Sequence, residues 1–574
     1  MKEYISQYEK WKKSEYVPMN LKSELNAIAS DDRAIEERFS AQMNFGTAGL
    51  RAVMQAGTAY MNVITVAHTA KALCALIERS DAREKGVVIG YDSRNNSPLF
   101  AKTMARVLAF NNIKTYIFDE LRPTPVLSFA VRELKCIAGI NITASHNPKQ
   151  YNGIKVYWED GAQISPEQAM VVSAEMEKTD MLSIEMCDFE TAVNDGRITI
   201  LESDFDEKYI EAVLKETVDT SIIPETAEKL SVVYTPLNGA GYRLVPKVLK
   251  RAGVKKLTVV DSQSKPDGEF PTTPKPNPEY QQVFEEGIPL AERENAELII
   301  ATDPDADRVG VMVFDRSIND YVCLTGNQVG ALLIDYIIAS YRERDCMPPD
   351  PYVVKTIVTS ELATKICEKN GVRIYNVLTG FKYIGEVIKK SEQTGKGSFI
   401  LGFEESYGYL KGTYARDKDG VVASLLICEM AAYYMKKNMT LYDALTDLYK
   451  RYGYYTEKTC EKYFEGMDGA EIMEQKMDTL RKKTPAALNG EKIAAVRDYL
   501  KGTITDIATG KSFSTGLPES NVLYYETEKG NVAVVRPSGT EPKIKFYYMI
   551  HAESIEESKR ICSQIRRETE ALFD

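Results

Sequence analysis

The chain has 574 residues and a mass of 64.4 kDa, too long for one core at roughly 100–200 residues per domain. Hydrophobic content of 44% and charged content of 27% are those of an ordinary soluble globular protein. Lys+Arg 72 against Asp+Glu 83 leaves a net charge of −11, which excludes a generic nucleic-acid binder or a basic membrane-surface protein.

In chain order, residues 1–18 are charged from the second position and have no apolar core, so no signal peptide is expected. Buried strands are predicted at 86–92, 114–119 and 136–143, with a helix over 97–112 that opens on Ser97-Pro98. The strand rhythm returns at 230–236, 256–262, 296–303 and 309–315, then at 352–360, 373–380 and 398–404. Strands alternating with helical patterns predict α/β units with mixed, mainly parallel sheets. The tail differs: strands at 522–527, 531–536 and 543–552 and one long helix over 554–573 predict a smaller C-terminal α+β domain. Residues 188–206 read as a polar junction, 321–328 as a second, and 452–485 as a charged, mostly helical bridge. Proline-rich residues 265–278 read as a long surface loop. The expected domains are 1–205, 206–324, 325–455 and 456–574. The apolar runs 421–435 and 329–339 are interrupted by Glu429 and Asp335, so no membrane span is expected. Nine cysteines without a C-x-x-C pair read as reduced thiols of a cytoplasmic protein.

Three histidines, His68, His146 and His551, exclude a multi-His zinc centre and leave proton transfer to lysine or carboxylates. Four polar loops, each following a predicted strand, carry the chemistry. In TASHNP, Ser145 is a candidate nucleophile beside His146, with Lys155 following; a plain Ser/Asn turn is the competing reading. In DPDADR, Asp303, Asp305 and Asp307 at i, i+2 and i+4 make an oxygen cage suited to a hard divalent cation. An EF-hand is excluded because its sixth and twelfth positions would be Arg308 and Phe314. In GFEESYGY, Glu404 and Ser406 suit sugar hydroxyls, with a surface acidic turn as the equal alternative, and charged side chains from Arg416 to Asp419 follow. In RPSGTEPKIK, Arg536, Lys543 and Lys545 against Glu541 leave a local +2, and Ser538, Gly539 and Thr540 add the ingredients of a phosphate nest; a solvated basic turn is the competing reading.

In this order the four loops resemble those of the α-D-phosphohexomutase family, and FGTAGLR at residues 45–51 resembles its N-terminal substrate-contacting segment. The resemblance spans nearly the whole chain and is closest to the phosphoglucomutase and phosphopentomutase branch, through GFEESYG and RDKDG. Tyr407, Gly408 and Tyr409 stand where branches acting on mannose or glucosamine phosphates show a His. The resemblance implies three α/β domains and a smaller α+β domain around a central cleft, carrying in turn phosphoserine, metal, sugar and phosphate functions. It implies a phosphoserine at Ser145, one Mg²⁺ per chain on Asp303, Asp305, Asp307 and a phosphoserine oxygen, and a sugar bisphosphate as intermediate and activator. Lys155 takes the place of the general base, Lys418 that of its partner across the cleft, and Arg308 that of a phosphoryl clamp. His146 is expected against phosphoserine or substrate, and Thr47, Arg51, Glu404, Ser406 and Arg416 against the sugar phosphate. Arg536, Ser538, Gly539, Thr540 and Lys545 are expected to hold the non-reacting phosphate. The implied activity interconverts glucose 1-phosphate and glucose 6-phosphate. Its rivals are a pentose-phosphate mutase, a phosphomannomutase, a phosphatase with an Asp nucleophile, and a non-catalytic sugar-phosphate sensor. A small-molecule sugar phosphate is the expected partner, with neither nucleic acid nor membrane; oligomeric state is left open.

Overall fold

Runs such as VVIGY and AGINI are buried along their whole length, as strands covered by helices on both faces must be. The computed structural model describes residues 2–46, 49–464, 469–538 and 543–573. The chain forms two compact units. The first comprises Met1–Leu324, Gly385–Gly395 and Tyr407–Thr440, the second Thr325–Ile384, Lys396–Ser406 and Leu441–Asp574.

In the first unit, three short helices, Glu3–Lys13, Met19–Ala27 and Asp32–Phe39, close around the fully buried Trp11. A six-stranded sheet follows, built from β1 (Leu50–Val53), β2 (Val87–Tyr91), β3 (Thr115–Phe118), β4 (Ala138–Ile142), β5 (Tyr151–Trp158) and β6 (Ile198–Leu201). Its order is β1-β5-β4-β2-β3-β6, parallel from β4 to β6 and antiparallel at β5 and β1. A five-stranded sheet is built from β7 (Ser231–Thr235), β8 (Lys256–Val259), β9 (Leu298–Thr302), β10 (Val309–Asp315) and β11 (Asp320–Leu324). Its order is β11-β10-β9-β7-β8, again with antiparallel strands on one side only. The helix Gly420–Lys436 is buried over residues 420–434 because it packs inside this unit. Glu429 within it is fully buried and accepts the backbone N–H groups of Val218 and Asp219 at 3.1 and 2.8 Å, which satisfies the carboxylate away from water. Among the described residues no helix is long and apolar enough to cross a membrane.

In the second unit, β12 (Pro351–Thr356), β13 (Arg373–Val377) and β14 (Ser398–Glu404) form a parallel ladder with β12 in the middle. The helix Gly326–Glu343 starts at a capping box between Thr325 and Gln328. The C-terminal part is an antiparallel sheet in the order 454–463, 543–552, 532–537, 523–527, 491–498, 503–506, 512–514. The helix Ile555–Ala571 packs on it. The architecture is thus mixed α/β with several sheets.

Three sequence expectations are corrected. Residues 454–463, read as part of a helical bridge, form a ten-residue edge strand paired with Lys543–Ala552; Lys458, Thr459 and Glu461 are exposed beside half-buried Thr456, Glu457 and Cys460, a polar pattern easily taken for a helix. Residues 188–206, read as a junction, include the capped helix Phe189–Asn194 and β6, the edge strand that pairs in parallel with β3. The proline-rich residues 265–278 have no regular secondary structure, yet Phe270 is fully buried, so this segment is not merely a surface loop.

Candidate active site

TASHNP joins β4 to its antiparallel neighbour β5, and DPDADR joins β9 to β10 in the same way. Both loops therefore leave the carboxyl end of a buried parallel strand. Ser145 is held in the left-handed region at φ 52°, an uncommon conformation for a non-glycine residue. Its N–H donates to Thr143 Oγ1 at 2.8 Å, and its hydroxyl donates to Asp303 Oδ2 at 2.8 Å, with His146 Nδ1 3.1 Å away.

The three aspartates offer oxygens that all lie within 4.8 Å of one another, and each side chain is buried. Asp303 Oδ1 accepts the N–H groups of Asp307 and Arg308 at 3.1 and 3.0 Å, which wraps the loop around it. Asp305 Oδ2 accepts from Thr124 Oγ1 at 2.8 Å and Lys155 Nζ at 2.6 Å. Asp307 Oδ2 faces Lys155 Nζ at 2.8 Å and Lys418 Nζ at 3.2 Å. Asp305 Oδ1 and Asp307 Oδ1 are buried without a hydrogen-bond partner. Buried carboxylate oxygens left open, in an all-oxygen donor set, fit a hard metal ion. Gly420 admits the close approach this loop needs: a Cβ there would lie 2.6 Å from the Ala306 carbonyl oxygen, which the Gly420 N–H itself contacts.

The electrostatics follow from this crowding. Burial and the charges of Asp305 and Asp307 push the Asp303 carboxyl well above the usual carboxylate range. Burial also opposes ionisation of Asp305 and Asp307, but Lys155 beside both, with Lys418 and Arg308 beside Asp307, brings them below it. Burial would strip the proton from Lys155, yet Asp305 and Asp307 outweigh it and raise the ammonium's pKa. Two lysines thus sit where they neutralise two carboxylates.

Arg308 pairs with Glu279 at 2.7 Å, and Arg51 donates to Asn147 Oδ1 in the TASHNP loop at 3.0 Å. Lys418 is further held by Asp417 at 2.9 Å, whose second oxygen accepts from Tyr157 and Gln163. Arg416, expected at the sugar, is buried and engaged: its guanidinium donates to the carbonyls of Thr413 and Ala415 and pairs with Glu392. It braces its own loop, because a buried guanidinium must place its donors on nearby acceptors. Of the other histidines, buried His68 faces the Thr179 carbonyl at 3.0 Å and His551 packs on Tyr455.

In the second unit, the buried Glu404 accepts the Gly380 N–H at 2.8 Å, and Ser406 beyond it is half-buried. Arg536 and Lys545 are cross-strand partners, and the Ser538 N–H donates to the Lys543 carbonyl at 2.8 Å. Glu461 pairs with both Lys543 and Lys545, at 3.3 and 3.1 Å, and offsets the local positive charge. Thr47, Gly539 and Thr540 lie outside the described residues.

Models of the three alpha/beta/alpha domains of phosphoglucomutase/phosphomannomutase match residues 42–183, 207–316 and 325–452 in order. A phosphoglucomutase of Staphylococcus saprophyticus is 37% identical over 90% of this chain and 92% of its own. The chain belongs to the phosphoglucomutase/phosphomannomutase family. A phosphoglucomutase of Staphylococcus haemolyticus is 35% identical over 93% of this chain and 95% of its own. Among solved structures, an open form of the Paramecium phosphoglucomutase parafusin superposes with a TM-score of 0.69 at 17% identity, covering 93% of this chain and 96% of that one. A phosphomannomutase-like structure from Thermus thermophilus gives 0.67 at 23% identity, covering 92% and 99%. The protein is an isomerase of the mutase type.

Sequence reasoning missed several side chains that hold these loops together. Thr124 donates to Asp305, Asn141 donates to Thr124 at 2.6 Å, and Arg94 reaches the TASHNP loop. Asn141, within the apolar strand CIAGINIT, was a visible signal, since a polar residue in a buried run needs a partner.

Proposed function

We propose that this protein interconverts glucose 1-phosphate and glucose 6-phosphate, with Ser145 as phosphoryl carrier and a glucose bisphosphate as intermediate. The observation that carries this reading is the Ser145 hydroxyl, 2.8 Å from Asp303 of a buried aspartate triad. Asp303, Asp305, Asp307 and an oxygen on Ser145 would hold one Mg²⁺, which when bound neutralises charge on the transferring phosphoryl group. The chain's own residues supply the remainder. The left-handed turn presents Ser145 Oγ to the substrate, and His146 Nδ1 orients it. Lys155 is the proton carrier for the sugar hydroxyl. Its proton is held by Asp305 and Asp307, and countering their charge lowers its pKa towards the range of a base. Lys418, on the same Asp307, serves the opposite transfer. Arg308 and Arg51 hold phosphoryl oxygens.

Glu404 and Ser406 grip sugar hydroxyls; Arg536, Ser538, Gly539, Thr540 and Lys545 hold the phosphate that does not react, with Thr47 beside the substrate. We further propose four domains, 1–205, 206–324, 325–455 and 456–574, a reading supported by the four separate sheets, the last of which begins with the strand 454–463. The net charge of −11 suits a cytoplasmic small-molecule enzyme with no nucleic-acid partner. The pentose reading is not favoured, because the relatives that match at 35–37% identity are named for the glucose reaction. The test is kcat/KM for glucose 1-phosphate, ribose 1-phosphate and mannose 1-phosphate with bisphosphate activator and Mg²⁺. A preference for ribose 1-phosphate would overturn the assignment.

A further inference from the structure

Arg94 lies just beyond β2, buried to 1% exposure. Its guanidinium is shielded from solvent. One terminal nitrogen donates to the carbonyls of Pro148 and Tyr151 at 2.9 and 3.1 Å, and the other to those of Ser145, at 2.6 Å, and Asn147. Four backbone oxygens of the Ser145 loop thus converge on one side chain.

Two further contacts fix the guanidinium itself. Asp92 pairs with its Nε at 3.3 Å and accepts the Arg94 N–H and the Ser97 hydroxyl, each at 2.9 Å. Phe270 covers it, with the ring centroid 5.3 Å from the guanidinium carbon. Phe270 is fully buried and, at φ 45°, occupies a left-handed conformation costly for an aromatic residue. Its neighbour Glu269 accepts from Asn95 at 2.6 Å and Lys149 at 2.7 Å, on either side of the Arg94 contacts. Gly268 admits this docking, since a Cβ there would lie 2.4 Å from the Asn95 nitrogen. Residues 268–270, near the start of the proline-rich segment, therefore form a plug seated on the loop that carries Ser145.

We propose that Arg94, pinned by Asp92 and sealed by Phe270, is a positioning residue that sets the direction of Ser145 Oγ for phosphoryl transfer. The inference rests on the reading of Ser145 as phosphoryl carrier. A left-handed serine is not locally stable, and one planar donor array spanning four carbonyls holds it in a single conformation. The fork is not replaceable by a point charge: a lysine has the charge without the reach to four acceptors.

The test compares Arg94→Lys and Phe270→Leu with the wild type in full-length enzyme. The readouts are steady-state kinetics with glucose 1-phosphate, bisphosphate and Mg²⁺, and amide hydrogen exchange. Arg94→Lys is expected to lower kcat about 100-fold while KM stays within about 3-fold, as a displaced reacting atom does. Exchange over residues 143–151 is expected to accelerate while β2 keeps its protection. Phe270→Leu, which keeps the plug apolar, is expected to move both readouts the same way, with kcat down by about 10-fold or less. A wild-type kcat in Arg94→Lys, or unchanged exchange in the loop, overturns the proposal. So does faster exchange spread evenly over the whole sheet, which marks a merely structural residue. If the wild type lacks mutase activity, the carrier reading fails instead, and the exchange comparison still decides whether Arg94 and Phe270 clamp the loop.

Discussion

Replacing Asp303 by Asn is expected to stabilise the metal-free protein and abolish its metal response. The change removes one charge from three carboxylates whose oxygens lie within 4.8 Å, while an amide oxygen still accepts the N–H groups of Asp307 and Arg308. At that separation and an effective dielectric constant of about 20, each like-charge repulsion is roughly 3.5 kcal/mol. Loss of the Arg308 attraction, and the raised affinity of Asp303 for its proton in the wild type, offset much of the relief. A net gain of about 2 kcal/mol corresponds to roughly 3 °C in Tm for a body of several hundred residues. The pH trend follows from the raised Asp303 pKa. A carboxyl whose folded pKa lies above its unfolded value stabilises the fold where it is protonated, and that contribution is lost as pH rises through the folded value. The advantage of the variant in EDTA should therefore widen with rising pH. With Mg²⁺ the order should reverse, since the wild type gains linkage stabilisation and the variant gains none. Thermal melts in EDTA and in Mg²⁺ across pH 5–9, paired with a coupled mutase assay, read all of this. A variant that melts below the wild type in EDTA at every pH, or an advantage that narrows as pH rises, refutes the reasoning.

Further expectations follow. Ser145→Ala should carry no acid-stable phosphate by mass spectrometry and lose essentially all turnover while still binding sugar phosphate; full turnover would sink the mechanism. Arg536→Ala should raise KM by about 10-fold or more with a smaller change in kcat, and unchanged affinity would remove that loop from the site. Gly420→Ala drives a methyl group into the Ala306 carbonyl and should cost about 1–3 kcal/mol with weaker metal binding, measured by melting and metal titration. Burial lifts the Glu457 carboxyl to about 7, so its contribution to stability fades as pH rises through that value. Glu457→Gln should therefore melt higher than the wild type at pH 8 and lose this advantage at pH 5, a crossover that a pH series of melts would detect or deny.

The legible parts of the molecule were those governed by local chemistry. Strands β10, β14 and 543–552 are bounded where their apolar and β-branched runs begin and end. That the Ser145 loop and the three aspartates each follow a strand was legible from the apolar runs before them, and the fold brings the Ser145 hydroxyl to Asp303. Strand 454–463 was not legible, because its pattern becomes meaningful only beside the strand it joins. The surroundings of Arg416 were not legible for a related reason: a charged side chain after a sugar-type loop says nothing about the nearby carbonyls and Glu392 that engage it.

By itself, then, the sequence determined the family, the run of strands and the residue types gathered in the polar loops, since these depend on patterns within a few residues. Only the tertiary structure decided how charge is shared. Lys155 lies 152 positions from Asp307 in the chain and Arg94 lies 51 from Ser145. Whether Lys155 gains or loses affinity for its proton turned on burial set against two carboxylates, a balance of distances that no linear spacing contains.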